Sequence, residues 1–262
     1  MWWSSLNRRR RALFATLAAV LVALAAVGGV RLLLGDDPRD PPAQDRPGTV
    51  ILVPGYGGSQ DALRVLAGQI EATGRDTHIV TLPGDGTGDL LAQVAVLDAD
   101  VDAALDRGAP SVDVIGYSAG GLVARLWVAR EQGELRARRV ITLGSPLHGS
   151  MLAAQGNVAD VCPPACRQMI PGSSLLATVE PAPVPLPWLS IWTENDQTVL
   201  PPDSSRLDGA ENLALQQLCP GIHIEHGELP THPLVVAIVL DALGTDHLTG
   251  VIQGVNCPGA TA

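Results

Sequence analysis

The chain has 262 residues, 46% of them hydrophobic but only 3% aromatic, with 28 glycines and 21 prolines, which fits a turn-rich domain with a sizeable core. All 17 basic residues are arginine, so a phosphate-loop lysine, a Schiff-base lysine and a lysine nucleophile are excluded. Five arginines and no acid lie in residues 1–34, whereas the remainder sets twelve arginines against 27 acids; so negative a body repels phosphates and excludes nucleic acid as a partner.

Arg8–Arg11 precede a largely apolar stretch of nineteen residues, Ala12 to Val30, with Arg31 behind it. A stretch close to the roughly 20 residues that span a bilayer, with arginines to stay on the cytoplasmic side, predicts an export signal or a membrane anchor over residues 1–34. Ala23-Leu24-Ala25 is the nearest candidate for a cleavage site. The protein is therefore expected outside the cytoplasmic membrane, either held there through this segment or released. Residues 35–48 are rich in Pro and Asp without periodicity and read as an extended linker to a domain over residues 49–262.

That domain opens with a buried strand, Thr49–Val53, running into Pro54-Gly55-Tyr56-Gly57-Gly58, a turn where backbone N–H groups can approach a ligand. A helix over Gln60–Ala72, a strand at His78–Leu82 and a helix within Leu90–Asp106 follow. Val112, Val114 and Ile115 form the next strand, and Leu122, Val123, Leu126 and Trp127 recur at helical spacing before Gly133. Val140–Leu143, Trp188–Thr193 and Glu211–Gln216 read as further strands, and an apolar helix opened by His232-Pro233 closes the fold through Leu243. Strands alternating with helices predict a mostly parallel sheet covered on both faces, with its site at the carboxyl ends of the strands. The stretch Leu147–Pro187 has no clear period and is expected to form a cap-like insertion.

Between the central strand and its helix stands Gly116-Tyr117-Ser118-Ala119-Gly120, a G-x-S-x-G pattern. A turn this tight holds the serine in a strained backbone with its hydroxyl clear of the sheet, and the following helix aims its N-terminal N–H groups at the same point. Ser118 is thus the expected nucleophile. A hydroxyl needs a base oriented by a carboxylate, and after such a turn the acid and then the histidine follow in chain order. Asp196, just beyond the strand ending at Thr193, is the expected acid, with Glu194 its nearest competitor and Asp203 and Asp208 more turn-like. His148, His223, His226, His232 and His247 lie downstream of Ser118; His232, between the last strand and the last helix and stiffened by Pro230 and Pro233, is the expected base, with His226 the alternative.

These pieces, together with Thr142-Leu143-Gly144-Ser145-Pro146 and Ser205–Asn212, resemble the α/β-hydrolase superfamily, and within it the small bacterial lipases of Bacillus type. The resemblance implies an α/β-hydrolase fold, a Ser118–His232–Asp196 triad, and an oxyanion hole made by the backbone N–H groups of Tyr56 and Ala119. It also implies a carboxylic-ester hydrolase, lipase or esterase, acting on an ester or lipid substrate as a monomer, with no cofactor and no metal. Acyl transfer, or amide or thioester hydrolysis, would use the same residues; a membrane-tethered binding protein without turnover is the alternative of a different class. Pro54, where many relatives carry histidine, and the long stretches at Leu147–Pro187 and Leu218–Leu229 depart from the smallest of these lipases.

Four cysteines in an exported body predict two disulfides. Of the three possible connectivities, Cys162 with Cys166 pins the insertion, and Cys219 with Cys257 ties the tail to the loop before His232.

Overall fold

Among the described residues there are six strands, with Val, Ile, Leu and Trp prominent in the longer ones: β1 (Thr49–Val53), β2 (Thr77–Ile79), β3 (Val112–Tyr117), β4 (Ala137–Leu143), β5 (Trp188–Trp192) and β6 (Glu211–Ala214). The structure, a computed structural model, describes residues 40–158, 161–249 and 257. All five strand pairings are parallel, in the order β2-β1-β3-β4-β5-β6. Parallel pairing demands crossovers, and these are α1 (Asp61–Glu71), α2 (Leu90–Asp106) and α3 (Ala119–Arg130), with α8 (Pro233–Ala242) closing the fold. Between β4 and β5 come three short helices, α4 (Met151–Val158), α5 (Pro164–Gln168) and α6 (Ser174–Ala177), and a single turn, α7 (Leu215–Leu218), follows β6.

The alternation of side chains along each strand builds two cores. Ile51, Val53, Val112, Val114 and Val140 face α2, α3 and the insertion, whereas Val50, Leu52, Ile115, Ile141 and Ile191 face α1 and α8. Helices therefore cover both faces, as the sequence predicts. The expected boundaries shift at several strands. β2 ends at Ile79, not Leu82, and the strand expected through Gln216 ends at Ala214, with α7 beginning at Leu215. β4 begins three residues early and carries Arg138 and Arg139, both buried, into the sheet.

Those arginines enter because β3 offers Asp113. Arg138 donates to both its carboxylate oxygens, Nε to Oδ1 at 2.9 Å and Nη2 to Oδ2 at 2.6 Å, and Arg75 adds a third contact at 2.7 Å. The same guanidiniums cap the carboxyl end of α8: Arg138 donates to Leu243 O and Gly244 O, and Arg139 to Ala242 O. They also hold the stretch before β1, through Arg138 to Gln44 O at 2.8 Å and Arg139 to Gln44 Oε1 at 3.1 Å. The second half of the expected linker thus packs against the body, because buried guanidiniums need its acceptors. Burial, with Arg138 beside it, lowers the Arg139 pKa to about 10.

Both expected disulfides are present, Cys162–Cys166 with Cα atoms 5.2 Å apart and Cys219–Cys257 at 5.4 Å. The membrane partner expected through the N-terminal segment is corrected: among the described residues no helix is long and apolar enough to cross a membrane. The segment on which that expectation rested, residues 1–34, lies outside the described residues.

Candidate active site

The carboxyl ends of β1, β3, β4 and β5 gather the site. Strand register brings Val53 beside Gly116 and Tyr117 beside Leu143, and Ser118 N–H continues the ladder to Leu143 O at 2.8 Å. There the chain turns sharply: Ser118 has φ +53°, a left-handed conformation that a residue with a Cβ adopts only under constraint. The constraint is packing. A Cβ on Gly116 would fall on the backbone of Gly121, and one on Gly120 on the carbonyls of Val53 and Pro54. Glycine at both positions lets α3 start against the strand ends, with Ser118 at its N-terminus.

Opposite Ser118 stands His226, in a 3₁₀ turn at His226–Glu228. Its Nε2 lies 3.0 Å from Ser118 Oγ and its Nδ1 2.7 Å from Asp196 Oδ2. Asp196 is held as an acceptor on its other oxygen, since Oδ1 receives the N–H groups of Thr198 and Val199, each at 2.8 Å. Nδ1 faces a fully buried carboxylate, an arrangement suited to the tautomer whose Nδ1–H donates to Asp196 and whose Nε2 accepts from the serine hydroxyl. Ser118, His226 and Asp196 are thus in hydrogen-bond contact in series.

The sequence-based choice of His232 does not survive this geometry. His232 is the N-cap of α8, and its Nδ1 accepts from Leu234 N at 3.2 Å. The signal was legible: a residue directly before a proline at the first helical position stands where a cap is needed, and that competes with any catalytic use. His226 instead sits in a turn closed by a capping box, Glu225 and Glu228 each bonding the other's backbone N–H. The remaining candidates lie elsewhere. His148 pairs with Glu180 at 2.9 Å, His223 approaches Glu225 at 3.9 Å, and Asp208 faces Arg206 at 3.8 Å. His247 lines a different cavity with Arg139 and Trp188. Glu194 is exposed, and Asp203 lies in a separate 3₁₀ turn. Among the described residues no cluster of three His, Cys, Asp or Glu could hold a metal.

Two neighbours fix His226. The Tyr117 ring lies against the imidazole, centroids 5.3 Å apart, and its hydroxyl donates to His226 O at 3.3 Å. Burial, and then the nearby Asp196 carboxylate, push the Tyr117 pKa up to about 12. Gly144, at φ +54°, passes beneath: a Cβ there would come within 2.5 Å of Leu229 Cδ1, 3.1 Å of His226 Nδ1 and 3.3 Å of Asp196 Oδ2. Only glycine leaves room for the acid–base pair.

From Ser118 a cavity of about 260 Å³ opens into the molecule. Tyr56, Ala119, Leu152, Cys166, Met169 and Val199 are among the residues that line it. The insertion between β4 and β5 supplies most of that lining, including Cys166 of the Cys162–Cys166 disulfide. A cap-like insertion was the expectation for this stretch, and residues of its helices α4 and α5 line the cavity.

A parallel sheet covered on both faces, with a serine held at positive φ on the turn out of its central strand, defines a hydrolase of the α/β type. The chain belongs to the alpha/beta hydrolase family, whose profile matches residues 50–251. Among solved structures it resembles lipase B of Aspergillus fumigatus (TM-score 0.66, 21% identity), covering 80% of this chain and 57% of the fungal one. It also resembles the mature form of the Bacillus licheniformis lipase BlEst2 (TM-score 0.63, 19% identity), covering 80% of this chain and 96% of that one. The chain spans only 57% of the length of the Aspergillus lipase, and these likenesses show a shared fold. No curated protein gives a significant match.

Proposed function

We propose that the protein is a serine carboxylic-ester hydrolase in which Ser118 is the nucleophile, His226 the general base and Asp196 the orienting acid. The observation that carries this reading is the continuous contact from Asp196 through His226 to Ser118 at the mouth of an apolar cavity. His226 Nε2 takes the hydroxyl proton as Oγ adds to the ester carbonyl, and Asp196 stabilises the imidazolium that forms. The proton then passes to the leaving alcohol, the acyl group stays on Oγ, and a water activated by the same imidazole releases the acid. The N–H groups of Tyr56 and Ala119 are the proposed oxyanion donors, each contributing about 3–4 kcal/mol to the transition state. The apolar lining beside Ser118 suits an acyl chain, which supports an ester or lipid substrate. The likeness to a Bacillus lipase over 96% of that chain supports the small bacterial lipase subtype. Four cysteines joined in two disulfides support an extracytoplasmic location.

The test is a fluorophosphonate label followed by peptide mapping, alongside hydrolysis of p-nitrophenyl esters. Ser118 should be labelled, and Ser118→Ala should lower kcat by on the order of 10⁶ with its melting temperature nearly unchanged. An unlabelled Ser118, or full turnover in the variant, removes the serine from the mechanism.

A further inference from the structure

The base and its acid sit on two different loops, and neither loop is part of the sheet. Asp196 follows β5, and His226 stands in the connection between α7 and α8. The alignment of Nδ1 with Oδ2 therefore depends on what joins these loops. One side chain touches both. Gln216, on the single turn α7, donates from Nε2 to Thr193 Oγ1 at 2.9 Å and to Asn195 Oδ1 at 2.8 Å, both on the acid's loop. The same Nε2 lies 3.2 Å from Ile222 O, on the base's loop. Its Oε1 accepts from Glu194 N at 2.8 Å. Thr193 extends the junction, since its Oγ1 donates to Ile224 O at 2.7 Å, two residues before His226.

We infer that Gln216 is a positioning residue for the proposed triad: it sets the separation of the acid and base loops, and Thr193 relays that setting toward His226. The inference rests on the functional reading above. An amide suits this place because its two N–H groups are shared among three nearby acceptors while its oxygen accepts one N–H, a combination that neither a carboxylate nor an amine provides. The neighbouring Cys219, bonded to Cys257, anchors the turn that carries it. Gln216 itself does not line the cavity beside Ser118. Its loss should therefore act on the chemical step and spare substrate binding.

Gln216→Met keeps length and removes every hydrogen bond; Gln216→Glu keeps the acceptor for Glu194 N–H and loses the donors. Each should lower kcat toward p-nitrophenyl butyrate by up to about 10²-fold, the scale of a misplacement near 1 Å, while KM stays within about twofold. In both, the low-field proton resonance of His226 Nδ1–H, present in the wild type, should broaden or vanish. Thr193→Val should reproduce the effect, and the double variant Thr193→Val/Gln216→Met should fall no further than either alone. An unchanged kcat with an intact resonance in Gln216→Met overturns the inference. So does a loss of activity that only tracks a lower folded fraction, with the resonance preserved in the folded molecules. A wild-type protein that shows the resonance yet hydrolyses no ester refutes the functional reading instead, and the resonance in the variants then decides the role of Gln216 alone.

Discussion

At the scale of single residues, the site turns on which of two histidines is spent on the backbone. His232 caps α8 and His226 meets Ser118, so the two should separate cleanly on substitution. His226→Ala should cost several orders of magnitude in kcat, comparable to loss of the nucleophile. His232→Ala should keep most activity and lose about 0.5–1 kcal/mol of stability with the cap. Ester turnover and chemical denaturation of both variants check this, and the reverse ranking would restore His232 to the mechanism. Tyr117 yields a pH prediction. Its folded pKa, near 12, stands above the ordinary 10.0, so its unfolded form ionises first as pH rises. The stabilisation it contributes is complete below pH 10 and is lost between about pH 10 and 12. Tyr117→Phe should therefore show a shallower loss of melting temperature over that window than the wild type. Equal slopes would mean that the phenol is not held neutral by its surroundings.

At the scale of elements, the loop bearing the base is long, from Cys219 to His232, and little of it is regular. It is held by the 3₁₀ turn, by Gln216 and Thr193, and at its start by the disulfide to Cys257. A crosslink closing 38 residues is worth about 3–4 kcal/mol in the chain-entropy model. Cys219→Ala/Cys257→Ala should lower the denaturation midpoint by that amount. It should also raise hydrogen exchange at residues 219–226 more than in the β-sheet. Uniform protection across both would show that the bridge does not hold this loop. The short helices of the insertion escaped periodicity for a plain reason: α5 and α6 have five and four residues, too few to show a 3.6-residue repeat.

At the scale of the whole molecule, the site occupies one end of the sheet, and the buried cluster of Asp113, Arg138 and Arg75 closes the other. Removing one partner from so buried a pair leaves an uncompensated charge, so Asp113→Asn should destabilise the fold by about 3–5 kcal/mol. Because no member of the cluster touches Ser118, the folded fraction should keep its kcat. A thermal melt combined with active-site titration tests both halves, and an unchanged melting temperature would show the cluster to be dispensable.

Local sequence determined much of this protein. The β-branched runs, their alternation with amphipathic helices and the G-x-S-x-G turn depend on neighbouring residues and backbone sterics, so the parallel sheet, Ser118 and its strained turn were all legible. The place of Asp196 just beyond the end of β5 was legible as well, because it follows from the strand pattern. The disulfide pairing followed from cysteine count and spacing. What sequence could not decide is which of several side chains on an irregular loop reaches a point fixed by other elements. His226 and His232 share the same connection, and their difference lies in where the 3₁₀ turn, the cap of α8 and the Gln216 junction place each imidazole. Nor could it show why Arg138 and Arg139 enter a strand, since their partners, Asp113, Gln44 and the end of α8, lie 25 to 106 residues away in the chain. Such contacts are set by tertiary packing, where a buried polar group takes whatever partner the fold brings within reach.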